Sequence, residues 1–160
     1  MIEINNLTTN PIDEDFLEKI AKFVLEGEGK GESDLSIALI GPGKMRKLNK
    51  RYLGKNRATD VLAFGQTSRY KVKDVKYKTQ DLGEIVICLR EVRKNAKRFK
   101  SSFEKELTRV LIHGILHLVG YDHEKNEKKA KKMEEKEKYY LKLMETHIGE
   151  GSGEPFGSPE

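Results

Sequence analysis

Three of the four histidines in this 160-residue chain fall within eleven residues, in the run His113-Gly-Ile-Leu-His117-Leu-Val-Gly-Tyr-Asp-His123. Residues four apart on a helix share a face and lie roughly 6 Å apart along its axis, so the first two imidazoles can converge on one cation. Gly120 is placed to end the helix, and the turn after it lets His123 approach the same point from another side. Three imidazoles leave the fourth tetrahedral position open, which is the arrangement of a catalytic zinc rather than a closed structural one. Such a zinc lowers the pKa of its water towards neutrality, so the cluster predicts a metal-dependent hydrolase. Nickel, cobalt or copper would also bind three imidazoles. The competing reading gives each histidine a separate packing role, and the density of the cluster weighs against it. The zinc-peptidase pattern sets a glutamate directly after the first histidine as general base; here that position is Gly114, which argues against peptide hydrolysis by that route.

A second chemical feature is charge. Lys44 to Lys100 holds 18 Lys and Arg against 5 Asp and Glu, a net of +13, which leaves −8 for the rest of a chain whose overall charge is +5. Positive charge concentrated in one segment predicts an anion-binding face, with nucleic acid as the first candidate partner.

The elements that must position these residues follow from periodicity. Ile2 and Ile4 alternate with polar residues as a strand does. Asp13 to Glu26 has helical spacing in Phe16, Leu17, Ile20, Phe23 and Val24, with Gly27 as a stop. Asp34 to Ile40 reads as a buried strand. Met45, Leu48 and Tyr52 mark a short basic helix closed by Gly54, and Val61 to Phe64 a further strand. Residues 65 to 80 are polar and basic without a period and predict a loop. Leu82 to Leu89 predicts a strand, and Val92, Ala96 and Phe99 a helix after it. Ser101 and Glu104 have capping-box spacing for the histidine helix, whose apolar face is Leu107, Val110, Leu111, Ile115 and Leu118. Glu124 to Thr146 predicts a Lys- and Glu-rich solvent-facing helix with ion pairs three and four residues apart, touching the core through Met133, Tyr140, Leu141 and Met144. Interleaved strands and helices give an α+β or α/β class with one small sheet. One domain over residues 1–147 and a Gly-, Ser- and Pro-rich disordered tail over 148–160 complete the organisation.

Cys88 is the only cysteine, which excludes an internal disulfide and predicts a buried thiol in a strand. The N-terminal residues lack a signal-peptide layout, and Val110 to Gly120 is too short to span a bilayer, so the expectation is a cytoplasmic protein with no membrane partner.

The histidine run resembles the signature of the YbeY family of bacterial metal-dependent endoribonucleases. Leu48-Asn49 with Tyr52, Thr59-Asp60-Val61-Leu62-x-Phe64 and Leu82-Gly83-Glu84-Ile85-Val86-Ile87 agree with it in order and spacing over roughly residues 34 to 146. The resemblance implies an α+β fold of about four mixed strands flanked by helices, with the metal site on a central helix and the following turn. It implies zinc, single-strand-specific RNA cleavage, ribosomal RNA as substrate in 16S 3′-end maturation, ribosome quality control, and the small ribosomal subunit as partner. The sequence departs from the family pattern at Leu53, where the family carries arginine after the aromatic residue; Arg51, Lys55 and Arg57 are the nearby candidates to bind substrate in its place. Ala63 stands where many relatives have serine. Asp122 and Glu84 are the carboxylate candidates for proton transfer or for orienting a ligand. Against those roles, Asp122 suffices as a turn former and Glu84 as a strand-edge residue. Two further functions compete with the nuclease: a non-catalytic ribosome-associated metal module, whose closed site would need Cys88 or Asp122 as a fourth ligand, and a metallopeptidase, which Gly114 disfavours.

Overall fold

A computed structural model describes residues 1–65, 81–121 and 126–150, with side chains through Glu145. Its elements are β1 (Ile2–Asn6), α1 (Glu14–Gly27), β2 (Asp34–Ile40), α2 (Pro42–Leu53), β3 (Val61–Gly65), β4 (Asp81–Cys88), α3 (Leu89–Arg98), α4 (Phe103–Leu118) and α5 (Glu127–Glu150). Among the described residues the strands form one sheet in the order β1-β2-β4-β3. β1, β2 and β4 run parallel, and β3 returns antiparallel against β4 as an edge. This is the mixed, helix-flanked α+β architecture that the sequence implied.

The sheet is apolar on both faces because both are covered. On one face Leu35, Ile37, Leu39, Ile85 and Ile87 pack with Leu17, Ile20 and Val24 of α1 and Leu107, Leu111 and Ile115 of α4. On the other, Ala38, Ile40, Leu62, Val86 and Cys88 pack with Met45 of α2. Cys88 is fully buried, and burial pushes its thiol pKa up, as expected of a packing residue. α5 lays Met133, Tyr140 and Met144 into the larger cluster.

The caps refine the sequence reading. Asp13 caps α1 by accepting from Phe16 N at 3.1 Å. α4 is capped by Ser102, which accepts from Lys105 N at 3.1 Å, rather than by Ser101. Ser101 is occupied in ending α3: its amide bonds back to Ala96 O at 2.8 Å while Lys100 takes φ 54°. That reversal turns Phe99 outward, where it is 61% exposed instead of extending the apolar face of α3. Leu89, assigned to the strand from sequence, is the first residue of α3. In α5 the predicted pairing within the helix is present as Lys138–Glu134, but Lys136 reaches Glu28 and Glu145 reaches Lys105, so ion pairs also tie α5 to its neighbours. α5 continues through Gly149 and Glu150, into the segment assigned to the tail. The predicted loop beyond residue 65 lies outside the described residues.

Two glycines are needed for the strands and helices to come this close. Gly83 has φ 125°, and a Cβ there would stand 2.0 Å from Phe64 O, so the β3–β4 pairing admits no side chain at this position. A Cβ on Gly114 would meet Ile85 Cγ2, Cδ1 and Cγ1 at 3.0–3.3 Å. The histidine helix therefore sits on the sheet at a distance set by the missing side chain.

Candidate metal centre and substrate cleft

α4 is buried over most of its length, and its wetter stripe carries the two histidines. His113 and His117 are each partly exposed, one turn apart, with ring centroids 4.7 Å apart and planes at 75°. Immediately after them the helix ends in a Schellman motif: Gly120 N bonds His117 O at 3.2 Å, Tyr121 N bonds Leu116 O at 3.0 Å, and Gly120 takes φ 114°. Gly120 thus ends the helix where the sequence predicted. Tyr121 then bonds Glu28, the residue that closes α1, which also accepts from Tyr140 and from Lys136 at 3.4 Å. Burial pushes Glu28 up, but those donors together outweigh it and hold the carboxyl below its ordinary value. Burial first, and Glu28 second, raise Tyr121 to about 12 and raise Tyr140 as well. The chain leading towards His123 is thereby anchored to α1 and α5. Asp122 and His123 themselves lie outside the described residues.

A residue the sequence did not reveal joins the pair. Glu137 of α5 places Oε1 against His113 Nδ1. Both side chains are mostly covered, at 18% and 24% exposure. One turn before His113, Arg109 bonds Glu106 at 2.6 Å and lies 3.7 Å from Asp60; Glu106 and Asp60 both raise its pKa, the Glu106 bond most of all. Asp60 also accepts from Asn95 at 3.4 Å. The carboxylate of the Thr59-Asp60 block therefore ties the start of β3 to α3 and α4.

His113 and His117 lie on the wall of an open cleft of about 1330 Å³ around the β3 edge. Tyr52, Leu53, Lys55 and Arg57 from the end of α2 and its following loop line it too, with Phe64, Arg98 and Lys129. This exceeds the roughly 300–1000 Å³ of a small-molecule pocket and suits an extended ligand.

The comparisons agree with this architecture. The family model described as Endoribonuclease YbeY matches residues 3–145. The chain belongs to the YbeY family. Among its relatives, Endoribonuclease YbeY of Chlorobium phaeovibrioides is 36% identical over 143 residues, 89% of this chain and 90% of that one. The protein of the same name from Thermotoga maritima is 41% identical over 111 residues, 69% of this chain and 67% of that one. The solution structure of TM1509 from Thermotoga maritima superposes with a TM-score of 0.64 at 33% identity, covering 99% of both chains.

Within the YbeY framework the remaining sequence candidates separate. Lys55 and Arg57 line the cleft; Arg51 does not, and instead lies 5.4 Å from the Tyr52 ring centroid. Leu53, where the resemblance leads one to expect arginine, is 58% exposed and lines the cleft. Glu84 is exposed and does not line the cleft. Strand alternation points it to the sheet face opposite Ile85, the side chain that meets Gly114 of α4. Arg98 of α3 belongs to the basic Lys44–Lys100 segment without having been picked out within it, and Lys129 of α5 lies outside that segment; nothing local marks which lysine or arginine of a helix will line the cleft.

The donor set fits a divalent transition metal. Two imidazoles share one helix face, one of them is oriented by a carboxylate as metal-bound histidines commonly are, and the sequence supplies a third imidazole six residues on. Among the described residues no three His, Cys, Asp or Glu side chains cluster closely enough to hold an ion, and His123 lies outside those residues. Gly114, where zinc peptidases carry the glutamate, has little room for a side chain, since a Cβ there would crowd Ile85. No helix among the described residues is long and apolar enough to cross a membrane.

Proposed function

We propose that this chain is a zinc-dependent, single-strand-specific endoribonuclease that matures the 3′ end of 16S ribosomal RNA in the cytoplasm and serves ribosome quality control at the small subunit. The observation that carries the reading is one cleft lined both by two helix-borne imidazoles and by Lys55, Arg57, Arg98 and Lys129. Membership in a family whose relatives bear the name endoribonuclease supports the choice of RNA. His113, His117 and His123 would hold the metal, which when bound supplies Lewis acidity for phosphodiester hydrolysis. Glu137 orients His113 through Nδ1, and the four cations hold backbone phosphates as the strand crosses the histidines. Asp122 is the carboxylate kept for proton transfer, beside His123 in sequence.

The test is cleavage by zinc-loaded protein of single-stranded RNA, duplex RNA and casein in parallel. Cleavage of the single strand alone is the expected result. Stoichiometric zinc with no RNA cleavage, or cleavage of casein, overturns the proposal. His117→Ala is expected to abolish cleavage while the protein still melts cooperatively, because the buried face of α4 at Leu111, Ile115 and Leu116 is untouched. A folded His117→Ala protein cleaving at the parent rate would show that the site lies elsewhere.

A further inference from the structure

An exposed aromatic side chain inside a cation-lined cleft is a surface on which a planar ligand can pack. Tyr52 and Leu53 are 54% and 58% exposed, consecutive, and both on the cleft wall. Tyr52 is nonetheless held in place. Its ring packs edge-on against Phe64, with centroids 5.0 Å apart and planes at 62°. Phe64 is itself anchored in the smaller core cluster, and the Arg51 guanidinium lies 5.4 Å from the Tyr52 centroid. The loop that follows is pinned as well: buried Asn49 donates from Nδ2 to Arg57 O at 2.9 Å, and Gly54 closes α2 at φ 70°. The result is a braced aromatic ring, still 54% exposed, in the same cleft as the cations Lys55 and Arg57 and the two imidazoles.

We infer that Tyr52, braced by Phe64, is a stacking platform for one unpaired nucleobase of the bound strand. The inference rests on the RNA reading above and adds to it the origin of single-strand selectivity. Every base offers a π-face, so stacking of this kind tolerates sequence, and the neighbouring cations take the phosphates on either side. A base within a duplex has both faces covered by its neighbours and cannot reach the ring without being extruded. Charge favours this occupant over an apolar peptide: Lys55, Arg57, Arg98 and Lys129 line the same cleft and match a polyanion.

The chain contains no tryptophan, so Tyr52→Trp installs a single fluorescent reporter at the platform. Full-length, zinc-loaded protein is titrated with a short single-stranded 2′-O-methyl RNA, whose recovery intact is checked on a gel. The expected results are quenching of Trp emission by the single strand but not by the matching duplex, and a loss of affinity of about 5- to 150-fold in Tyr52→Ala, the range of one stacked base. Tyr52→Phe is expected to bind within about twofold of the parent, which separates a ring effect from a hydroxyl effect. An oligonucleotide abasic throughout should bind parent and Tyr52→Ala alike. Parental affinity in a folded Tyr52→Ala protein, or unchanged Trp emission when RNA binds, overturns the inference while leaving the nuclease reading intact. Binding and quenching without cleavage of unmodified RNA would support the platform and refute the nuclease. No binding of RNA by the parent would refute both.

Discussion

Removing the Glu137 carboxylate is expected to weaken zinc binding without unfolding the metal-free protein. Glu137 reaches His113 from a different helix, and both side chains are largely covered, so the contact operates in a partly desolvated setting. A hydrogen bond to a charged group contributes about 1.5–3 kcal/mol and a neutral one about 0.5–1.5 kcal/mol. Glu137→Gln, which keeps shape and one acceptor, should therefore cost roughly 1–1.5 kcal/mol, or about 5- to 15-fold in affinity. Glu137→Ala leaves His113 without its orienting partner and should cost about 10- to 100-fold, the range found when partners of metal-bound histidines are removed. Competition against a chromophoric zinc chelator measures the affinity. A thermal melt of the metal-free protein measures the structural cost, expected to be under about 4 °C because roughly 1 kcal/mol moves a domain of this size by 2–4 °C. Zinc affinity in Glu137→Ala within twofold of the parent would refute the orienting role. Complete loss of stoichiometric binding would refute it differently, by showing that Glu137 is itself a ligand.

Three further outcomes are expected. Gly83→Ala should lower the melting temperature by roughly 6–12 °C: about 1–3 kcal/mol for an L-residue at φ 125°, plus ladder hydrogen bonds of about 1 kcal/mol each lost as Phe64 O is pushed away. A shift under about 2 °C would show that the β3–β4 approach is not as tight as described. The Glu28 cluster should limit stability at both ends of the pH scale. Tyr121 is raised to about 12 from the ordinary 10, so its contribution is full below pH 10 and is lost as pH rises towards 12; Glu28 is lowered from 4.5, so its contribution is full above that value and is lost as pH falls below it. In Glu28→Gln the phenol absorbance titration should move part of the way back towards 10, the remainder being due to burial, and a titration identical to the parent would refute the coupling. Finally, four cleft cations predict a slope of about −3 for log affinity against log salt on single-stranded RNA, at roughly −0.7 per phosphate, and a flat dependence would refute their role.

Much of the frame was readable along the chain because each element advertises its own face. Asp34–Ile40 was delimited as found, Asp13 and Gly54 bound their helices, and Gly120 marked the reversal beside the histidines. Apart from α5, which begins three residues later and ends four later than expected, the boundary shifts were about one residue wide and had local rivals. Ser101 and Ser102 both make plausible caps, and only the α3 reversal through Lys100 assigns them. What could not be read was which faces meet. Glu137 lies 24 residues from His113 in a helix full of similar glutamates, and its partner is set by how α5 docks through Met133, Tyr140 and Met144. Arg98 and Lys129 reach the cleft for the same reason, while Glu84 belongs to a motif yet does not line the cleft, although its cross-strand partner Phe64 does.

The absent side chain at Gly114 has an evolutionary consequence. The residue after the first histidine is where zinc peptidases keep their glutamate, yet here the Cβ of even an alanine would press on Ile85. Installing that glutamate by one substitution would crowd Ile85 in the same step, and Ile85 would have to give by a few tenths of an ångström for the helix to keep its seat on the sheet. A smaller residue at position 85 would make that room in advance, at the cost of a cavity beneath α4 while glycine still stands at 114. The packing thus sets a steric cost on drift towards a neighbouring chemistry.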